Sequence, residues 1–542
     1  MQRLIGLLTL LLGLFVAAQA SAQSGSMIID RSRSDRAPAV AAAPSPGAAV
    51  AAGTVLGAPS AGGDFVLQRV DVAGSSLPPS AFADLTRRYA GHKVTRADLT
   101  QISEQVGAVY GKSSVALYTV LVPQQTFEGG VVRVRVIEGY VSGVDVKSPS
   151  GGRSSELSRL YAEALVGEAP LQKSALERQL GLIRDIPGAQ PDIQVLQGDK
   201  PGAVRLAVTP KIRRFEGSLA VNSRGATLLG KTQVELGAHF NSLIREGDRT
   251  DITFAFPTEL ERFQYVGVGH SQKIGSAGTS VAVNAGYLRT NPDIEGLKLK
   301  GTAKTAGVSI VHPVVRSNQK NLYATVGLDG LDSDNALFGR QISREQTRAL
   351  RLGAAYTAQT AKTVTTANIA ASKGLDALGA RMANPIVSEA DFAKASVQLT
   401  QAVYTKRTAL RLAAAGQVTG DRLPASEKFA VGGAQFGRAF ASAVISGDSG
   451  YAVSAEFALR KPGGGRFAGS EAYAFADYGQ VVQTRKLGIF RDDEIASAGA
   501  GVRVAVLKKG VVEIEAAKAL NDVSTRRGTR PTKLMLNIRS AF

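Results

Sequence analysis

Beyond residue 214 the apolar positions of the chain stop recurring at a helical period and fall into a two-residue alternation. In GKTQVELGAHF, Thr232, Val234, Leu236, Ala238 and Phe240 share one parity, and Lys231, Gln233, Glu235, Gly237 and His239 share the other. The pattern returns over residues 252–256, 281–287, 322–328, 350–356 and 451–459, with turn-forming residues between them. Strands with one apolar and one polar face, roughly ten residues long, predict an all-β transmembrane barrel over residues 214–542. A soluble β-sandwich alternates in the same way, so the choice rests on the rest of the chain.

Residues 65–213 read differently. FVLQRVDVAG predicts a strand ending at Gly74, and Pro79 to Tyr89 a helix with Phe82, Leu85 and Tyr89 in line. A second helix starts at Thr95, with Asp98 in its first turn and Leu99, Ile102, Val106 and Tyr110 on one face. Strands over 115–122 and 131–137 follow, split by a turn at Phe127-Glu128-Gly129-Gly130. From Val141 a similar order returns: a strand VSGVDV, helices over 154–165 and 172–183, and strands over 192–196 and 203–208. Residues 65–140 and 141–213 therefore predict two β-α-α-β-β interaction modules. Their strand edges, and the helix bearing Leu99, Ile102 and Val106, are the candidate surface to which an extended partner segment adds.

The ends of the chain favour a membrane barrel. Met1-Gln2-Arg3, an apolar core over 4–18 and Ala20-Ser21-Ala22 read as an export signal over 1–22, too short for a spanning helix. Residues 23–64 are Ala, Pro, Gly and Ser with few large apolar groups, and predict a flexible linker. No later apolar run is long enough to cross a bilayer as a helix, so insertion has to use strands. The last strand, 533–542, puts Leu534, Leu536, Ile538 and Phe542 on one parity and ends on the aromatic.

Composition narrows the chemistry. The chain has no Cys, which excludes a disulfide framework and thiolate metal sites, and no Trp, which leaves interfacial girdles to Tyr and Phe. Its net charge of +19 lies mostly in residues 214–542 without a dense basic run interleaved with aromatics. That fits a basic lumen, or basic loops facing outer-membrane lipid and lipopolysaccharide, and not a nucleic-acid partner. His92, His239, His270 and His312 have no metal-ligand spacing. Asp329, Asp332, Asp334 and Asn335 lack the twelve-residue frame of a calcium loop and read as a solvated extracellular loop. Ser446 and Ser449 have no His or nucleophile elbow beside them. The chain predicts no enzyme, no cofactor and no metal site.

The remaining feature is a Gly-rich stretch, FAVGGAQFGRAF over 429–440, followed at 475–479 by F-A-D-Y-G. Together with YTVLVPQQTFEGGVVRVRVIEG and APLQKSALERQLGLIRDIPG upstream, it resembles the two-partner secretion transporters, the TpsB family of FhaC-like and ShlB/HecB-like haemolysin secretion and activation proteins. The resemblance implies two POTRA domains, the second of ShlB type, with Pro123 and Gln124 at the family's places, and a barrel of about 16 strands. It implies a TpsA-like secreted exoprotein as partner, and recognition of Phe542 by the barrel-assembly machinery. It also implies that Arg438, between Gly437 and Phe440, is carried by the sixth extracellular loop into the lumen and received there by Asp477, flanked by Phe475 and Gly479. Gly437 stands where the family has Val, and Ala439 where it has Gly. The alternatives are a barrel-assembly-type insertase, which usually has more POTRA units, and a passive porin, which has no need of residues 65–213.

Overall fold

The computed structural model describes residues 54–56, 65–147, 155–225, 227–293, 299–338, 340–462, 467–484, 492–506, 510–522 and 530–542. The expected export signal and most of the linker lie outside them. The first unit contains β1 (Thr54–Leu56), β2 (Phe65–Val66), β3 (Arg69–Ala73), α1 (Ala83–Tyr89), β4 (Lys93–Val94), α2 (Arg96–Lys112), β5 (Tyr118–Leu121) and β6 (Val131–Glu138). Helix α2 starts where the sequence places it. Thr95 accepts from the Asp98 backbone N–H and the Asp98 carboxylate accepts from the Thr95 N–H, a capping box. The Thr95 hydroxyl also donates to the Asp98 carboxylate at 2.7 Å, and this bond first, with the Thr95 N–H second, holds the Asp98 carboxyl below its ordinary pKa.

Two expectations for this unit are corrected. Leu99, Ile102 and Val106 are buried, packed with Val120, Val132 and Val134 in the unit's core, so they offer a partner no surface. Part of the linker is not free chain either: Thr54–Leu56 pairs in parallel with β5, giving the sheet order β1-β5-β6-β3. Any extended partner joining the β5 edge would have to take that place. Gln124 is exposed and Pro123 half-buried, in the turn after β5.

The second unit contains β7 (Tyr140–Val146), α3 (Glu156–Glu163), α4 (Lys173–Arg184), β8 (Asp192–Gln197) and β9 (Ala203–Thr209), with sheet order β7-β9-β8. Leu157, Tyr161, Leu180 and Ile183 from the helices meet Val141, Leu206 and Val208 from the sheet. The unit is docked on the strands beyond it. Arg316 reaches Asp185, just past α4, with two hydrogen bonds of 2.7 and 2.9 Å. Glu246 accepts the backbone N–H groups of Leu157 and Ser158, in the first turn of α3, at 2.7 and 3.2 Å. A carboxylate there satisfies donors that the helix itself leaves unpaired and opposes the positive end of its dipole.

The remaining strands are β10 (Phe215–Asn222), β11 (Gln233–Asn241), β12 (Asp248–Pro257), β13 (Phe263–Ile274), β14 (Thr279–Thr290), β15 (Leu299–Arg316), β16 (Lys320–Leu337), β17 (Arg340–Gln359), β18 (Thr363–Gly374), β19 (Ala393–Tyr404), β20 (Thr408–Thr419), β21 (Phe429–Val431), β22 (Ile445–Gly447), β23 (Ser449–Arg460), β24 (Glu471–Val482), β25 (Asp493–Val506), β26 (Gly510–Ala519) and β27 (Thr532–Ala541). All but β21 and β22, which pair with each other, form one closed antiparallel barrel of 16 strands. Closure removes the unpaired edges that lipid cannot satisfy. Outward positions carry apolar side chains such as Leu236, Phe254, Val283, Leu352, Phe457 and Leu534, all exposed at the barrel surface.

The seam joins β10 to β27. Beyond the last paired residues, Phe542 and Gly217 exchange two backbone hydrogen bonds of 3.0 Å, and the Phe542 ring covers Gly217 so closely that a Cβ there would lie 2.1 Å from it. Strands β15 to β17 run to 18–20 residues, well past the length expected for the membrane. Asp329, Asp332 and Asp334 lie on β16 rather than in a loop. Arginines of β17 answer them: Arg351 at 3.0 Å, Arg348 at 2.7 Å and Arg344 at 3.6 Å. A cross-strand charge ladder lets these strands extend beyond the apolar belt.

Candidate functional site

The site lies on the inner wall of β23 to β26 and on the loop between β20 and β23. That loop is the sixth on the face away from the two α+β units, and it folds into the barrel as the short β21–β22 hairpin. Its tip reaches far down. Glu456, which it meets, lies seven residues along β23 from the strand's start, about 23 Å of strand at 3.3 Å per residue.

Three residues of the F-A-D-Y-G strand, Phe475, Asp477 and Gly479, face inward, and each has a separate task. The Phe475 ring lies under the Arg438 guanidinium, 4.1 Å from its carbon. Asp477 is buried and accepts the backbone N–H of Gly437 at 2.7 Å, that of Arg438 at 3.4 Å, and the Ser497 hydroxyl at 2.6 Å. Gly479 makes room for the loop: a Cβ there would come within 2.7 Å of Val431 on β21. The i, i+2, i+4 spacing of the motif is the strand's own repeat, which sends all three to the lumen.

The tip turn needs a left-handed residue, and Gly437 supplies it at φ 68° with its α-carbon tight against Ile495. Ala439, at the family's glycine position, does not adopt positive φ; it is fully buried and its N–H meets the Ser497 hydroxyl at 3.4 Å. Phe440 is buried in the cluster of Phe436, Ile445, Phe475 and Ile495.

The guanidinium itself makes no hydrogen bond to Asp477, the receiver that the resemblance implies. Its Nε lies 3.9 Å from Asp477 with no hydrogen bond, because Asp477 is committed to the turn's backbone donors. Nη1 instead donates to Glu456 at 2.9 Å and to Glu515 at 3.2 Å. These acids are shared. Glu456 also holds Arg411 at 2.9 Å and Arg503 at 2.5 and 2.8 Å, and Glu515 holds Arg224 at 2.8 Å. Tyr473 donates toward Glu513 and Glu515, both at 2.8 Å, and lies under Arg503. Sequence reasoning missed Glu456, Glu515, Arg503 and Arg411. The available signal was an ionised residue at inward parity in an otherwise apolar or small-residue membrane strand. A cavity of about 670 Å³ beside the tip is lined by Gln435, Arg438, Arg411, Arg503 and Tyr404.

The other candidates stay apart. His239 contacts Asp251 at 2.5 Å, His270 meets Thr250 and His312 meets Thr279, both at 2.9 Å, and His92 lies on the first unit. Among the described residues no group of three or more His, Cys, Asp or Glu could hold a metal ion.

A closed 16-stranded barrel with α+β units at its entrance and a loop pinned in its lumen defines an outer-membrane transport barrel of the POTRA-bearing class. The profile of the family "Haemolysin secretion/activation protein ShlB/FhaC/HecB" matches residues 203–504, and the chain belongs to that family of two-partner secretion transporters. A profile of the ShlB-type POTRA domain matches residues 65–139, the first unit, whereas the sequence reading placed that type on the second. Relatives include the Heme/hemopexin transporter protein HuxB of Haemophilus influenzae, 22% identical over 483 residues, 84% of this chain and 83% of that one. Among solved structures, CdiB from Escherichia coli superposes with a TM-score of 0.71 at 18% identity over 97% of this chain and 99% of that one. BamA from Haemophilus ducreyi lacking POTRA domains 1-3 does so at 0.54 and 15% over 88% of this chain and all of that one. Family members are transporters rather than enzymes. The barrel lies in the outer membrane with the POTRA end in the periplasm.

Proposed function

We propose that the chain passes one large unfolded TpsA-like exoprotein from the periplasm to the cell surface through its barrel. In this reading residues 1–22 direct export, residues 65–140 and 141–213 are the two POTRA domains that receive the cargo, and the loop carrying Arg438 closes the lumen until cargo arrives. The supporting observation is the loop itself. A 16-stranded barrel encloses an aqueous channel, and here a hairpin runs down that channel on ionic and hydrogen-bonded contacts that water and a polypeptide can exchange. A passive porin has no use for a plug held in this way or for docked periplasmic units.

The cargo segment adds to a strand edge, by backbone hydrogen bonds that do not depend on its sequence. β3 and β8 end their sheets, and Pro123 and Gln124 flank the β5 edge that Thr54–Leu56 occupies. With no nucleotide outside the inner membrane, cargo folding at the surface supplies the direction. The barrel-assembly machinery inserts the barrel, with Phe542 as its recognition residue, and lipid and lipopolysaccharide surround it. A chain deleted for residues 141–208 tests cargo reception: secretion should be lost while the barrel still inserts, and continued secretion would remove the role given to the second unit.

A further inference from the structure

We propose that Glu427 is a second latch of the lumenal loop, fastening its root to a different sector of the wall from the tip, so that the loop leaves the channel only when both latches release. The proposal rests on the reading of this loop as the element that closes the lumen.

Glu427 ends the short 3-10 turn Ala425–Glu427 where the loop enters the barrel, and its side chain is fully buried. Its carboxylate takes two hydrogen bonds from Arg351, at 3.0 and 2.8 Å, and faces the Lys394 ammonium at 2.9 Å. Its backbone oxygen accepts Lys394 again at 2.9 Å and Gln417 at 3.0 Å. Arg351 lies on β17 and is itself wholly buried, with both prongs also on Asp329 of β16 at 3.0 Å. Lys394 lies on β19. None of these strands carries a partner of the Arg438 tip, whose contacts are on β23 to β26.

One loop is thus tied to two sectors of the barrel, by charge of opposite sign at each end: a cation at the tip and an anion at the root. The wall is prepared for the arrangement. Asp329 holds Arg351 from the neighbouring strand, and the Lys394 ammonium stands beside it, so the wall presents two cations between which the Glu427 carboxylate of the loop is seated. A carboxylate buried without cations would be strongly disfavoured, so the root seats only in the register that brings Glu427 between them. Once the loop lifts, water entering the lumen solvates all these groups, which keeps release within reach of a binding event.

Single-channel recording of the purified full-length chain in planar lipid bilayers tests this, with heat-modifiable mobility reporting the folded barrel. Glu427→Gln should raise the time spent in the fully open state about ten-fold, the effect of weakening one charge-assisted contact. Glu427→Asp, which keeps the charge, should lie nearer the unsubstituted chain. Lys394→Met, which loosens the same carboxylate from the wall side, should act in the same direction, and Glu427→Gln with Arg438→Met should open the channel further than either alone. If Arg438→Met opens the channel while Glu427→Gln and Lys394→Met gate as the unsubstituted chain does in either background, the second latch is refuted and the tip reading stands. If no variant changes gating, the loop is not what closes the lumen and both fail.

Discussion

Arg438 and Asp477 are coupled through a turn rather than through a simple ion pair, and the two substitutions therefore differ in consequence. Replacing Arg438 with Ala leaves Glu456 with Arg411 and Arg503, and Glu515 with Arg224. No acid is stranded, so the loss is that of charged hydrogen bonds, about 1.5–3 kcal/mol. Replacing Asp477 with Ala leaves the buried Gly437 N–H and the Ser497 hydroxyl without their acceptor, at about 1–3 kcal/mol each. Both variants should insert as folded barrels with the tip released, and Asp477→Ala should be the more severe in secretion assays and thermal stability. The exchange Arg438→Asp with Asp477→Arg should not rescue, because it sets a third carboxylate against Glu456 and Glu515. A rescued exchange would mean that the direct pair dominates after all.

At the scale of elements, the strands were legible because one-face apolar alternation has no other stable outcome in lipid, and Thr95 with Asp98 announced the start of α2. What was not legible depends on register. Glu456 and Glu515 are 18 and 77 residues from Arg438, and only the pairing of β23 through β26 brings them together. Likewise the apolar face of α2 looks the same in sequence whether it meets a partner or its own sheet. Burial of Ile102 and Val106 decides for the sheet.

The seam gives an element-scale prediction. Phe542 covers Gly217 across β10 and β27, so deleting Phe542 should lower the yield of heat-modifiable barrel, and Gly217→Val should do the same by displacing the ring. Normal folded yield in both, with export alone failing, would show that the terminal residue acts in transport and not in closing the barrel.

For the whole molecule, the second unit sits on the barrel rim through Arg316 to Asp185 and Glu246 to the first turn of α3, so the entrance and the wall are one connected body. Arg316 is almost fully buried, and Arg316→Ala leaves Asp185 without its strongest partner. Hydrogen–deuterium exchange should then rise over residues 173–184 while the barrel strands stay protected; unchanged exchange would mean that apolar packing alone holds the unit in place.

A channel that conducts a polypeptide must release cargo on the far side of the outer membrane, and only while its lumenal loop can seat correctly. The most direct measurement is the appearance, at the surface or in the medium, of a large TpsA-like exoprotein of the kind proposed as cargo, in cells that express it together with the intact chain, the Asp477→Ala variant or neither. Export is expected with the intact chain, strongly reduced export with the variant at equal barrel abundance, and none without the chain. Equal export in all three would mean that the barrel does not carry the cargo.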